Sequence, residues 1–113
     1  LMPTMAMNDL VQGIELAKQF DCASVCIMPY ALAMCSEMLA GTTVKPSTTI
    51  GFPHGGHTTA AKVYESERAL KDGGQELDMV VNISKVLSGD WSYVEADVRA
   101  VCDVTHAAGQ KLK

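Results

Sequence analysis

Short apolar runs alternate with helix-like segments along this chain, and that alternation restricts the fold more than any other feature. Parallel strands cannot be joined by a tight turn and need a crossover, usually a helix. Residues 8–20 carry Leu10, Val11, Ile14 and Ala17 at helical spacing, with Asn8 the expected N-cap. Residues 23–28 form a short apolar run ended by Pro29. A second helix is expected over residues 30–39, closed by Gly41. Residues 47–52 are β-prone. After the loop Pro53-His54-Gly55-Gly56-His57, the pattern predicts a helix from Thr58 to about Lys71, with Glu67 and Lys71 spaced for an i,i+4 pair. Gly73 and Gly74 stop it, and residues 74–82 read as a strand. Asp90 caps a last helix bearing Val94, Val98, Val101, Cys102 and Thr105 on one face. Gly109 ends that helix, and Lys111-Leu112-Lys113 opens another strand.

The strand starts lie roughly 25–35 residues apart, the size of a β/α repeat. The expected fold class is therefore α/β, a parallel sheet with helices outside, forming about half of a (β/α)8 TIM barrel. A doubly wound open sheet would alternate in the same way. No G-x-G-x-x-G follows any strand, which weakens its dinucleotide-binding version.

At 113 residues the chain is long enough for one real core. A net charge of −4 and the lack of a basic run give no reason to expect nucleic acid, while a locally positive pocket for one anionic metabolite remains open. No apolar run approaches the roughly 18 residues of a membrane span, so no membrane partner is expected. The start, Leu1-Met2-Pro3-Thr4-Met5, does not read as a signal peptide. Beginning on Leu1 and ending on a cut-off strand, residues 1–113 are expected to be the N-terminal portion of a single barrel domain, truncated at both ends. The cysteines Cys22, Cys26, Cys35 and Cys102 form no CxxC pair, which points to reduced thiols, a cytoplasmic protein and no zinc. Cys22, Cys35 and Cys102 read as core residues.

Asp78 is the leading chemical candidate. It sits among Leu77, Met79, Val80 and Val81, and a carboxylate in such a run needs a partner or a task. It is either an acid held by a neighbouring lysine or a general acid/base at the mouth of a barrel. Cys26, in the apolar run 23–28, is either a small buried hydrophobe or a pocket-lining thiol. Lys113 would be costly on an inward-facing position unless it met an acid or an anionic substrate. His54 and His57 flank two glycines that are explained as turn residues, and no third metal ligand lies nearby in sequence, so no metal is expected.

The runs Ala-Ser-Val-Cys-Ile-Met-Pro (23–29), Thr-Ile-Gly-Phe-Pro-His-Gly (49–55) and Glu-Leu-Asp-Met-Val-Val-Asn (76–82) resemble the deoxyribose-phosphate aldolase family in content, order and spacing. Leu87-Ser88-Gly89-Asp90-Trp91 and Lys111-Leu112-Lys113 fit the same pattern, so the resemblance covers nearly the whole chain. It implies a class I aldolase on a (β/α)8 barrel that reversibly cleaves 2-deoxy-D-ribose 5-phosphate to glyceraldehyde 3-phosphate and acetaldehyde. A lysine Schiff base is the electron sink, so no cofactor is implied. By position, Asp78 matches the family's proton-relay carboxylate, Cys26 a pocket-lining cysteine, and Lys113 a lysine facing the same pocket. The family's Schiff-base lysine lies in a Lys-Thr-Ser-Thr-Gly strand absent from these residues. Met2 stands where lysine is common. The resemblance also implies a homo-oligomer, commonly a dimer. A polypeptide of these residues alone is expected to be an inactive half-barrel, with two open sheet edges and an uncovered apolar interior that drive association.

Overall fold

The computed structural model describes residues 1–113 throughout. Helix α1 (Met7–Gln19) leads into strand β1 (Ser24–Ile27). A single 3₁₀ turn at Pro29–Ala31 then opens α2 (Leu32–Met38). Strand β2 (Lys45–Ile50), helix α3 (Thr59–Lys71), strand β3 (Glu76–Met79), the short α4 (Ile83–Leu87), α5 (Trp91–Ala107) and β4 (Lys111–Leu112) follow. The four strands form one sheet in the order β1-β2-β3-β4, and every pair is parallel. This is the α/β alternation the sequence predicts.

Local chemistry sets most of the boundaries. Thr58 and Asp90 each accept a hydrogen bond from the backbone two or three residues into the helix, from the amides of Ala61 and Tyr93. Asn8 is not the cap of α1. Ala6 holds that position, and the Asp9 side chain accepts its amide at 2.8 Å. Pro46 lies inside a central strand without breaking it. It stands at the strand's second residue, and its carbonyl accepts the amide of Gln75, the residue before β3 begins. Glu67 and Lys71 form no ion pair. Arg68 pairs instead with Asp72, the residue that ends α3, at 2.9 Å.

Side chains alternate across the sheet, so its two faces differ. Ile27, Ile50 and Leu77 point to the helices and join Leu10, Ile14, Leu32, Cys35, Leu39, Ala69 and Val101 in one core. The other face carries Cys26, Ser47, Thr49, Glu76, Asp78 and Lys113. It is not the apolar interior expected from the sequence but a polar face, on which Ser47 and Thr49 are buried. Two further expectations are corrected. Cys22 is exposed and Cys102 half-buried, so of the three cysteines read as core only Cys35 is, with burial pushing its thiol up to about 11.

The loop after β2 packs back onto the end of β3. Gly55, at φ +66°, donates its amide to the Gly51 carbonyl at 2.8 Å. A methyl group there would lie 1.8 Å from the Val81 carbonyl oxygen. Gly55→Ala is therefore expected to cost roughly 1–3 kcal/mol through strain and overpacking. Urea denaturation measures this, and an unchanged midpoint would show that loop and strand separate freely.

Candidate active site

Strand register assembles the polar face. Cys26, Ser47, Glu76 and Lys111 are successive partners across the sheet, and Thr49 pairs with Asp78 in the next row. Lys113 donates its amide to Leu77 and accepts that of Met79, both at 2.8 Å. That bracketing places Lys113 opposite Asp78 with both side chains on one face. Lys113 Nζ lies 2.8 Å from Asp78 Oδ1 and 3.6 Å from Glu76 Oε2. The approach to Oδ1 is close but poorly aligned for a hydrogen bond, so charge attraction holds the pair.

Asp78 is less enclosed than its flanks suggest. Leu77 is fully buried against the helices, whereas the Asp78 side chain keeps 32% exposure on the opposite face. The apolar residues around it in sequence are not around it in space. Both Asp78 and Lys113 sit toward the C-terminal ends of parallel strands, where open α/β sheets and barrels bind ligands.

The electrostatics distinguish the two groups near Asp78. The carboxylate against Lys113 holds that ammonium above the usual lysine range, and Glu76 adds to the effect. An amine kept protonated is a poor nucleophile at neutral pH but a good attractor of anions. Burial pushes the Cys26 thiol up. Ser47 opposes this, and the Asp78 carboxylate beside the thiol raises it further. Iodoacetamide is accordingly expected to modify Cys26 with a pH–rate midpoint above that of an ordinary thiol. Asp78→Asn should speed the reaction at pH 8, because one cause of the rise is removed. Mass spectrometry of the Cys26 peptide reads both rates, and equal rates in the two proteins would mean that the charge does not reach the sulfur.

Sequence reasoning missed a second charged cluster just behind this face. Lys62 of α3 is fully buried, with Nζ 2.6 Å from Asp97 Oδ2 of α5 and 3.0 Å from the Val80 carbonyl. Thr59 Oγ1 donates to Asp97 Oδ1 at 2.7 Å. Asp97 does sit among Val94, Val98 and Val101 on the predicted apolar face of the last helix, and an acid in that stripe was the available signal. His54 and His57 are exposed, and no three His, Cys, Asp or Glu side chains are grouped closely enough to hold a metal ion.

A family model described as DeoC/LacD family aldolase matches residues 1–112. The chain belongs to the DeoC/LacD aldolase family. Aldolases are carbon–carbon lyases, so this family is one of lyases. The deoxyribose-phosphate aldolase of Rhodopirellula baltica is 60% identical over 113 residues, covering 100% of this chain and 47% of that protein. That of Thermococcus gammatolerans is 38% identical, covering 100% of this chain and 51% of its own length. A crystal structure attributed to a deoxyribose-phosphate aldolase of Coccidioides immitis superposes with a TM-score of 0.90 at 30% identity, over 93% of this chain and 42% of that one. The chain spans about half the length of the curated relatives it matches. No helix in this family member is long and apolar enough to cross a membrane.

Proposed function

We propose that the protein is a deoxyribose-phosphate aldolase, and that these residues are the N-terminal portion of its single barrel domain. The observation that carries this is the Asp78–Lys113 pair on the polar face of a chain so similar to proteins of that name. In the proposed reaction an enzyme lysine condenses with C1 of 2-deoxy-D-ribose 5-phosphate. The C3 hydroxyl then loses its proton as the C2–C3 bond breaks, and the electron pair moves into the protonated imine to give an enamine. Glyceraldehyde 3-phosphate leaves, C2 takes up a proton, and hydrolysis releases acetaldehyde.

Asp78 carries protons in this scheme through water. Lys113, held charged by Asp78, draws the anionic sugar phosphate, and Cys26 lines the pocket. The Schiff base is assigned to a lysine outside these residues, because the family's Lys-Thr-Ser-Thr-Gly strand is not among them. A cytoplasmic homo-oligomer without a cofactor belongs to the same reading, since the imine supplies the electron sink.

Borohydride reduction of the whole protein with deoxyribose 5-phosphate tests the proposal. One reduced adduct, mapped to a lysine other than Lys113, together with acetaldehyde release, is the expected result. Neither adduct nor acetaldehyde would overturn the reading, and an adduct on Lys113 would reassign its role.

A further inference from the structure

We propose that Lys62 and Asp97 form a positioning pair for Asp78, fixing the end of β3 so that the carboxylate meets Lys113 and the substrate. The inference rests on the aldolase reading for its catalytic consequence, but its geometry stands apart from it.

The Lys62 ammonium sits where strand pairing runs out. The Val80 amide still donates to Ile50 of β2, but no backbone amide reaches the Val80 carbonyl, because β2 turns away at Gly51. Lys62 Nζ takes that carbonyl at 3.0 Å, two residues beyond Asp78. Its stem also fills the space beside Gly51, where an added Cβ would lie 2.9 Å from Lys62 Cε. One turn further along α3, Glu65 accepts the Gly51 amide at 2.8 Å. Helix α3 thus holds the end of β3 with a cation and the end of β2 with an anion.

Asp97 orients that cation from α5, and Thr59 orients Asp97 in turn. Burying such a pair is no route to stability as such, since well-packed apolar residues often serve as well or better. What an apolar pair lacks is a donor for the Val80 carbonyl. The groups facing Asp78 itself are Lys113 of β4, Glu76 of its own strand and Cys26 of β1, and their spacing depends on where β3 ends.

Two variants of the whole protein test this, Lys62→Met/Asp97→Leu and Thr59→Val. The double variant removes the donor while filling the space. It is expected to stay folded and to lose roughly 10- to 100-fold in kcat with KM little changed, as displacement of a reacting group does. The 13C shift of the Asp78 carboxyl, read at neutral pH without substrate, should move as well. A folded double variant with wild-type kcat and wild-type Asp78 shift would overturn the proposal. Should the double variant not fold, Thr59→Val decides, because it keeps both charges and the side-chain shape. A smaller fall in kcat with a moved Asp78 shift supports the pair, and wild-type values for both overturn it. A wild-type protein inactive on deoxyribose 5-phosphate would end the aldolase reading instead, and the Asp78 shift alone would then decide the positioning.

Discussion

Asp78→Asn in the whole protein is expected to lower turnover by about 10²–10⁴-fold, the usual contribution of a positioned proton-transfer group, with folding unaffected. Asparagine keeps the shape of the side chain, so the strand has no reason to move. The amide can neither take up nor deliver the proton, and it no longer neutralises Lys113. That ammonium should then titrate closer to the ordinary lysine value, since the carboxylate is the main cause of its rise. The stability the pair lends is fully present at neutral pH and lost as the pH climbs through the raised Lys113 value. It is small, because Lys113 is half exposed and the charges are screened. Steady-state kinetics, a thermal melt and the Lys113 titration read the three effects. A correctly folded, fully active variant would remove Asp78 from the mechanism.

Lys62→Met alone should have the largest effect on stability, roughly 3–5 kcal/mol. Asp97 is 1% exposed, so its carboxylate would be left with only the Thr59 hydroxyl, and the Val80 carbonyl would lose its donor. Adding Asp97→Leu should restore most of the loss, since the stranded charge is removed. Urea denaturation of the two variants separates these effects. A loss below about 1 kcal/mol for the single variant would mean that the pair behaves like one on the surface.

The architecture was legible because it rests on local signals. Apolar runs of strand length, Gly73 and Gly74 after a helix, and the cap at Asp90 act within a few residues of themselves. The Asn8 cap failed because Asp9, one residue on, reaches back to the Ala6 amide. Helix α4 escaped notice because five residues give hardly one turn of periodicity, though Asn82 caps it by accepting the Lys85 amide. Asp78 stands out in the sequence as an acid in need of a partner, but which lysine meets it, and how far its apolar flanks enclose it, do not. The period of two sends Leu77 and Met79 away from it.

The pairing of Lys62 with Asp97 was invisible for the opposite reason. Each lies on a helix that reads as amphipathic, where a charge usually belongs to the wet side. The two are 35 residues apart and meet only because α3 and α5 pack side by side. No local pattern encodes such a meeting.

The sheet's strand order has a consequence for synthesis on the ribosome. Each strand's neighbour is the next one translated, so the sheet can grow in the order it emerges, without waiting for a distant partner. Asp78 is then laid down well before Lys113. At roughly 5–20 residues per second, the nascent strand shows its carboxylate without a counterion for a few seconds. During that interval the acid keeps the newest sheet edge charged, which discourages another nascent chain from pairing with it.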